Sequence, residues 1–312
     1  MAEITPETIV AAHERIAPHV RRTPVIDVEG TVLKLECLQH AGSFKPRGAF
    51  NTLLGQEVPE AGLVAASGGN HGAAVAFAAR ALGHRARIFV PDVASPAKIA
   101  LIRRLGGDVE VTGAVYAEAL AASEAYQAET GAMSIHAYDA PGTVAGQGTL
   151  GRELEAQADL DTLLVAVGGG GLIGGIAAWY RGRVRVIAVE PESCACFDAA
   201  RSANAPADVD VSGLAVDSLG ARRLGAISQA ISASYVAGNV LVSDADILAA
   251  QIWCWQALNL AVEPGGATAL AALRAGAYRP AQGERVGVVM CGANVDLTRL
   301  ASAAAADEGE RQ

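Results

Sequence analysis

The chain has 312 residues, of which 51% are hydrophobic and 18% are charged, and its formal net charge is -9. This length and composition predict a compact globular protein whose core fills one or two domains. A negative net charge without any run of Lys or Arg argues against nucleic acid or an anionic membrane as partner. We therefore expect a small-molecule ligand.

The N-terminal segment and the cysteines indicate where the protein works. "MAEITPETIV" lacks the basic and apolar regions of a secretion signal, and no apolar run approaches the roughly 20 residues of a membrane span. The 5 cysteines form no CxxC pair and no zinc-ligand spacing, which is typical of a reducing compartment. We expect a cytoplasmic protein with small buried cysteines, Cys291 being treated separately below.

Lysine is rare in this chain. It occurs at Lys34, Lys45 and Lys98, so 21 of the 24 basic residues are arginine. Arginine stays protonated, whereas a desolvated lysine can lose its proton and form an imine. Lys34 shares the polar face of the alternating predicted strand "TVLKLE" with Glu36, and Lys98 lies early in a predicted helix, so both lysines are predicted to be solvated. Lys45, in "GSFKPRGAFN", is the candidate nucleophile.

Short β-branched strands alternate with alanine-rich helices, which is the pattern of an α/β fold. "LVAAS" (63–67) and "RARIFVP" (85–91) are predicted strands, and the helix after the second begins with Ser95 as N-cap and Pro96 at its first position. The apolar runs in "TLLVAVGG", "VRVIAVEP" and "RVGVVMCG" are expected in a parallel sheet covered on both faces. The tail "ASAAAADEGERQ" (301–312) is predicted to be frayed or disordered.

One glycine-rich turn, in "VAVGGGGLIGG", joins a predicted strand to a predicted helix. There the backbone N–H groups and the positive end of the helix can hold a phosphate. The pattern is neither GxGxxG nor a Walker loop. Tight packing of strand against helix is the alternative reason for these glycines, which are Gly168, Gly169, Gly170 and Gly171.

Two further turns end predicted strands with polar residues. "SGGNHG" offers Ser67, Asn70 and its backbone amides to a carboxylate or a phenolate-like oxygen, although Asn70 is also a common turn residue. "VVMCGANVD" brings Cys291 to the carboxyl edge of the sheet, where ligands of open α/β sheets bind. An imine-capable lysine, an amide cradle and polar turns together describe a site for pyridoxal phosphate.

The chain resembles the fold-type II pyridoxal-phosphate enzymes, the tryptophan synthase β-like group, and within them the threonine/serine dehydratase (threonine ammonia-lyase) and serine racemase branch. Ordered blocks carry the likeness from Arg22 to Leu300: "RTPVIDV", "LKLECLQHAGSFKPRGAFN", "SGGNHG", "VAGQGTLGRELEAQ", "VGGGGLIGGIA", "VEPE", "VEPGGATALAAL" and "CGANVD". The resemblance implies two open, twisted, mostly parallel sheets flanked by helices. It also implies a large cofactor-binding domain (1–61 and 140–312), a small domain (62–139) that closes on the substrate, and a homodimer.

The resemblance also implies a role for each residue around the cofactor. Lys45 carries pyridoxal 5'-phosphate as a Schiff base and acts in catalysis, Phe44 packs beside the ring, and Asn70 bonds its 3-hydroxyl. Cys291 faces the pyridine nitrogen, and Glu263 lies near the ring. A neutral thiol does not hold that nitrogen protonated, which favours prompt loss of a β leaving group. The phosphate is held by the backbone amides of Gly168, Gly169, Gly170, Gly171 and Leu172.

On the substrate side, the resemblance implies a loop that grips the substrate carboxylate, formed by Ser67, Gly68, Asn70 and His71. Asp217 stands where relatives carry a small or hydroxylated residue near the substrate. His71 has an alternative role in cross-linking its own turn.

Two departures from the branch bear on the reaction. Racemases place a serine after the position of Ser67 to protonate the opposite face of Cα, and here that residue is Gly68. The divalent-cation site of the family pairs a glutamate, here Glu190, with an acidic residue six positions on, which is Cys196 in this chain. Because a hard cation does not favour a thiol, no metal is predicted.

The expected function is deamination of L-threonine and/or L-serine to 2-oxobutyrate or pyruvate plus ammonia, by α,β-elimination of water. Three alternatives stay open: a serine or hydroxyaspartate racemase or dehydratase, another β-eliminating or β-replacing enzyme of this fold acting on a non-standard amino acid, and a cofactor-binding protein without catalysis.

Overall fold

The structure is a computed structural model that describes residues 3–310. Along them the helices are α1 Pro6–Ile16, α2 Pro46–Leu54, α3 Asn70–Ala81, α4 Pro96–Arg104, α5 Tyr116–Thr130, α6 Pro141–Glu155, α7 Gly171–Tyr180, α8 Cys196–Ala203, α9 Val216–Leu219, α10 Ala226–Tyr235, α11 Asp244–Leu258, α12 Pro264–Arg274 and α13 Leu297–Glu310. The strands are β1 Val25–Val28, β2 Thr31–Lys34, β3 Leu63–Ala66, β4 Ala86–Val90, β5 Asp108–Val111, β6 Met133–Ser134, β7 Thr162–Ala166, β8 Arg185–Pro191, β9 Val236–Val242 and β10 Val286–Val289. In this part of the chain, no helix combines the length and apolar character needed to cross a membrane.

The strands form two sheets, which confirms the predicted α/β architecture. A six-stranded sheet has the order β1-β2-β10-β7-β8-β9, and only its β1–β2 pair is antiparallel among the described strands. Every residue of β7 is buried, in accordance with the apolar run that predicted a strand covered on both faces. The carboxyl ends of β7 and β10 therefore meet at one edge of this sheet.

The second sheet has four parallel strands in the order β5-β4-β3-β6. Its strands lie between residues 63 and 134, inside the range 62–139 predicted for the small domain. The apolar cluster beside it also contains Ile16 and, from α2, Ala49, Phe50 and Leu53. Packing therefore continues across the predicted boundary at residue 62, and the division into domains stays a prediction.

Helices α6 and α7 touch backbone to backbone, which fixes the turn before α7. A Cβ atom on Gly175 would lie 2.4 Å from the Val144 carbonyl oxygen, and one on Gly148 would lie 2.8 Å from the Gly175 carbonyl oxygen. Real Cβ atoms do not approach other atoms this closely, so both positions need glycine. The contact positions the N-terminus of α7 at the edge of the six-stranded sheet.

Local capping signals place α4 as the sequence predicts. The hydroxyl of Ser95 accepts the N–H of Lys98, and Pro96 is the first helical residue. The prediction of a frayed tail is wrong for residues 301–310, because α13 continues to Glu310. Leu300 and Ala304 are buried, so the helix has an apolar stripe to pack. Residues 311–312 lie outside the described chain.

The prediction that Lys34 is a solvated surface residue is wrong. Its side chain is 0% exposed, and its Nζ donates to Glu153 over 2.5 Å and to Gln157 over 2.7 Å. Glu153 also accepts from Arg47 over 3.0 Å, and Arg47 holds Glu36 through two bonds of 2.8 and 2.7 Å. Alternation along β2 separates its two faces but does not reveal that α6 covers the face with Lys34.

Candidate active site

Lys45 stands immediately before α2, in a segment held against the end of β10. The N–H of Phe44 donates to the carbonyl of Cys291 over 3.2 Å. Pro46 follows as the first residue of α2, where a missing N–H costs no hydrogen bond. Backbone contacts on one side and a rigid helix start on the other therefore place Lys45 at the carboxyl edge of the six-stranded sheet.

The amine of Lys45 lies in a partly enclosed cavity with both polar and apolar lining residues. Its Nζ donates to the carbonyl of Ala137 over 2.9 Å and lies 5.1 Å from the centre of the Phe44 ring. Burial lowers the pKa of Lys45 to about 8, although the nearby Cys291 and Glu263 act in the opposite direction. A far larger fraction of this amine is thus neutral near physiological pH than of an ordinary lysine, and the neutral amine is the form that attacks a carbonyl group.

A single cavity joins Lys45 to all the residues that the sequence assigns to the cofactor. Its lining includes Phe44, Lys45, Asn70, Gly168, Gly169, Gly170, Gly171, Leu172, Glu263 and Cys291. They come from both ends of the chain and meet at the carboxyl edges of β7 and β10. Their individual contacts with the cofactor stay predictions.

Each glycine of the turn before α7 has a close neighbour. A Cβ atom on Gly169 would lie 2.3 Å from the ring of Tyr138, and one on Gly171 would lie 2.8 Å from the Tyr138 carbonyl oxygen. Gly170 has a φ of 89°, which L side chains rarely adopt. Close packing therefore explains these glycines by itself. The turn nevertheless presents the N-terminus of α7, whose N–H groups and dipole suit a phosphate.

Asn70, the first residue of α3, is held at both ends of its amide. Its Nδ2 donates to Glu263 over 2.5 Å, and its Oδ1 accepts from Asn294 over 2.7 Å. Glu263 directly precedes α12, which packs on the six-stranded sheet, and Asn294 follows β10 of that sheet, whereas Asn70 follows β3 of the four-stranded sheet. The amide therefore connects the two sheets at the cavity.

Burial controls the charge of two groups in this cavity. It raises the pKa of Glu263 to about 7, against the opposing effect of the hydrogen bond from Asn70. It also raises the pKa of the Cys291 thiol well above its usual range, so the thiol is neutral. Cys291 donates to the carbonyl of Gly265 over 3.3 Å. The neutral thiol agrees with its predicted place beside a ring nitrogen that is not kept protonated.

The turn between β3 and α3 carries the residues predicted to grip a substrate carboxylate. The hydroxyl of Ser67 accepts the N–H of Gly69 over 3.2 Å, which stabilises the turn. The Nε2 of His71 lies 2.8 Å from the carbonyl of Ile135, and burial lowers the pKa of His71 to about 3. This supports the alternative interpretation of His71 as a neutral cross-link between the turn and the chain after β6.

Gly68 and Asp217 have unexpected neighbours. A Cβ atom on Gly68 would lie 2.9 Å from the Cβ of Ala94, so this turn packs directly on the segment before α4. The carboxylate of Asp217 pairs with the ammonium of Lys98 over 2.7 Å. The side chain of Lys98 is only 19% exposed, so the prediction that it is solvated is wrong. The reason is the approach of α9 to α4, which local sequence does not encode.

Three residues near the site carry no role in the sequence analysis. Tyr138 covers the glycine turn, and Ser218 lines the Lys45 cavity and accepts the N–H of Gly265 over 3.2 Å. Asn294 holds Asn70, as described above, and it also donates to the carbonyl of Ala41 over 2.8 Å. Asn294 belongs to the "CGANVD" block, two residues after Gly292. A polar side chain at that position was the sequence signal that could have identified it as a site residue.

The residues at the positions of the family's cation site, Glu190 and Cys196, form hydrogen bonds within the protein. Both oxygens of Glu190 accept backbone N–H groups at the start of α8, from Phe197 over 2.7 Å and Asp198 over 2.9 Å. The thiol of Cys196 donates to the carbonyl of Gly168 over 3.2 Å. Within residues 3–310, no group of three or more His, Cys, Asp and Glu side chains is arranged to hold a metal.

The chemistry of this cavity fits pyridoxal phosphate. The aldehyde of that cofactor needs a neutral amine, which Lys45 supplies. Its phosphate needs donors without competing carboxylates, and the N-terminus of α7 offers backbone N–H groups. The neutral thiol of Cys291, which lines the same cavity, suits a pyridine nitrogen that is not kept protonated.

Comparisons with known proteins agree with this chemistry. The family model described as "Pyridoxal-phosphate dependent enzyme" matches residues 16–292. A serine racemase from Oryza sativa subsp. indica is 33% identical, over 93% of this chain and 91% of its own length. A beta-hydroxyaspartate dehydratase from Paracoccus denitrificans is 35% identical, over 95% of this chain and 98% of its own length.

The fold agrees as well. The crystal structure of a threonine deaminase from T.th. superposes with a TM-score of 0.87 at 34% identity, covering 94% of this chain and 99% of that chain. The resemblance seen in the sequence is thereby confirmed, including the fold type and the cofactor. This chain belongs to the fold-type II pyridoxal-phosphate dependent enzymes, in the branch that contains the threonine/serine dehydratases and the serine racemases.

Proposed function

We propose that the protein is a dehydratase that converts L-threonine and/or L-serine to 2-oxobutyrate or pyruvate and ammonia. The observation that carries the proposal is Lys45, a half-buried amine with its pKa lowered to about 8, inside the cavity that holds the other cofactor residues. Such an amine serves both to attach the cofactor and to move a proton near neutral pH.

The reaction removes a proton from Cα and the hydroxyl from Cβ, which leave together as water, and a second water then displaces the nitrogen as ammonia to give the 2-oxo acid. When bound, pyridoxal phosphate draws electrons away from Cα and makes its C–H bond acidic. Lys45 Nζ accepts that proton. Nζ donates a hydrogen bond to the Ala137 carbonyl. This bond uses an N–H hydrogen and not the nitrogen lone pair, so the neutral amine can still accept a proton.

The turn from Ser67 to Gly69 orients the substrate through its carboxylate. Helix α3 begins directly after this turn. The backbone amides of the turn and the positive end of the helix dipole therefore favour binding of an anion. Asn70 fixes this end of α3 against Glu263 and Asn294, across the two sheets. When the turn closes over a bound substrate, it excludes water from the acidic Cα.

Gly68 favours elimination over racemisation. A racemase needs a second acid on the face of Cα opposite Lys45, and glycine has no group to donate. The contact of Gly68 with Ala94 leaves no space for a side chain without a shift of the segment before α4. A second candidate, dehydration of 3-hydroxyaspartate, has support from the Paracoccus relative.

A parallel assay tests the proposal. Protein loaded with pyridoxal phosphate receives L-threonine, L-serine, D-serine or 3-hydroxyaspartate, and the 2-oxo acid, ammonia and the chirality of the remaining amino acid are measured. Release of 2-oxobutyrate or pyruvate with equal ammonia supports the dehydratase. Inversion of serine without 2-oxo acid would identify a racemase instead. The homodimer and the cytoplasmic location expected from the sequence belong to the same proposal, and light scattering tests the first.

A further inference from the structure

An ion pair bridges α4 and α9 beside the active site. The Nζ of Lys98 lies 2.7 Å from the Oδ2 of Asp217. Helix α4 packs on α3 and β5 of the four-stranded sheet, whereas α9 packs on α12 beside the six-stranded sheet. The pair therefore connects the two parts of the molecule that meet at the Lys45 cavity.

The pair lines a second cavity beside the one that holds Lys45. This second cavity, of about 600 Å³, is lined by Lys98 and Asp217 and also by Ser218 and Glu263. Ser218 and Glu263 line the Lys45 cavity as well, so the two cavities are neighbours that share part of their walls. The ion pair therefore lies in the cavity next to the one that holds Lys45.

Asp217 also touches the turn proposed to hold the substrate carboxylate. A Cβ atom on Gly69 would lie 3.3 Å from the carbonyl oxygen of Asp217. Lys98 and Asp217 act in opposite directions on the pKa of the buried Glu263, Lys98 lowering it and Asp217 raising it. Both charges are therefore close enough to influence the cavity, and each offsets the other.

We infer that Asp217 is a specificity-determining residue, because it occupies Lys98 and so denies that ammonium to a second carboxylate on the substrate. The site then selects 3-hydroxy amino acids with one carboxylate over 3-hydroxyaspartate. The inference rests on the proposed dehydratase function. A second carboxylate entering the cavity meets the charge of Asp217 and finds Lys98 already paired, and such like-charge contacts are a common means of rejecting a ligand.

Other charges line the same cavity and need to be separated from Lys98. Arg104 ends α4, Arg299 lies on α13, and Asp296 precedes that helix. A change at Asp217 that acts through Lys98 disappears when Lys98 is also replaced, whereas a change that acts through either arginine persists. The double variant therefore decides which cation is involved.

The test compares the wild type with Asp217→Asn, Lys98→Met and the double variant, each loaded with pyridoxal phosphate. Asp210→Asn is the control, because Asp210 forms an exposed pair with Arg222 over 3.2 Å. For each protein, kcat/KM is measured with L-serine and with 3-hydroxyaspartate. Calorimetric titration with succinate and with butanoate measures the preference for two carboxylates without any turnover.

Asp217→Asn is expected to raise the kcat/KM ratio of 3-hydroxyaspartate to L-serine by about tenfold, and the succinate preference by a similar factor. The double variant is expected to lose both gains. Unchanged ratios in Asp217→Asn, an equal loss with both substrates, or gains that persist in the double variant would overturn the inference. If no protein releases 2-oxo acid but Asp217→Asn still gains succinate preference, the dehydratase proposal fails and the role of Asp217 stands.

Discussion

The side-chain amide of Asn70 donates to the carboxylate of Glu263 over 2.5 Å, across 193 positions of the chain. Asn70 begins α3 beside the four-stranded sheet, and Glu263 directly precedes α12 beside the six-stranded sheet. Asn294 holds the other end of the same amide over 2.7 Å. The position of the turn from Ser67 to Gly69 relative to Lys45 therefore depends on Asn70, whose two partners lie beside the six-stranded sheet.

Replacement of Asn70 tests this dependence. We expect Asn70→Ala to weaken pyridoxal-phosphate binding by about tenfold or more, because it leaves the buried Glu263 without its donor, at a cost of about 1–3 kcal/mol. Equilibrium dialysis measures the affinity. Asn239→Ala is the matched control, since it removes a hydrogen bond of 2.7 Å from a side-chain amide to the carboxylate of Asp198. Equal affinities of the two variants would contradict the role of Asn70.

The lowered pKa of Lys45 predicts how cofactor uptake depends on pH. Only the neutral amine attacks the cofactor aldehyde, and a pKa of about 8 means that the neutral fraction rises through that pH. Uptake by the cofactor-free protein should therefore accelerate between about pH 7 and pH 9 and then level off. Stopped-flow absorbance measures the rate, and a simple alkylamine corrects for titration of the cofactor itself. A rate still rising steeply well above pH 9 would indicate an ordinary lysine.

The packing of Gly68 on Ala94 predicts what a racemase-like serine needs in this chain. Gly68→Ser alone places Cβ 2.9 Å from the Ala94 Cβ, so the segment before α4 has to move. We expect Gly68→Ser combined with Ala94→Gly to form D-serine from L-serine at least about tenfold faster than the wild type. Chiral chromatography measures the product, with Ala94→Gly as the control. No gain of D-serine in the double variant would show that another feature prevents racemisation.

The buried charges around Lys34 predict a large effect on stability. Lys34→Met leaves the two buried carboxylates of Glu36 and Glu153 with Arg47 as their remaining cation, and an excess buried charge of this kind costs about 3–5 kcal/mol. We expect a clearly lower urea midpoint of unfolding. Asp208→Asn breaks the exposed pair with Arg223 and should change the midpoint little. Similar midpoints for the two variants would mean that the buried network contributes little to stability.

The sequence predicts what depends on neighbouring residues. Ser95 and Pro96 determine where α4 begins, and the apolar run of β7 shows that both of its faces are covered. Lys45 stands out because it is one of so few lysines. These features follow from capping, periodicity and composition, which need no knowledge of distant segments.

Contacts between distant segments determine the features that local sequence does not predict. Lys34 is buried because its partner Glu153 lies 119 positions away on α6. Lys98 is paired because α9 approaches α4, and Tyr138 meets the glycine turn from the chain after β6. Neither periodicity nor propensity contains this information. Even the ordered family blocks leave the helical tail after Leu300 unpredicted, since they end there.

The central claim is that Lys45 performs elimination on a hydroxy amino acid. The most direct measurement is 2-oxo acid released from L-threonine and L-serine by the cofactor-loaded wild type and by Lys45→Ala, with circular dichroism to show that the variant is folded. We predict sustained release by the wild type and a loss of at least about a thousandfold in Lys45→Ala, which also loses the visible absorbance of the attached cofactor. Release undiminished in Lys45→Ala, or none from either amino acid by the wild type, would contradict the account.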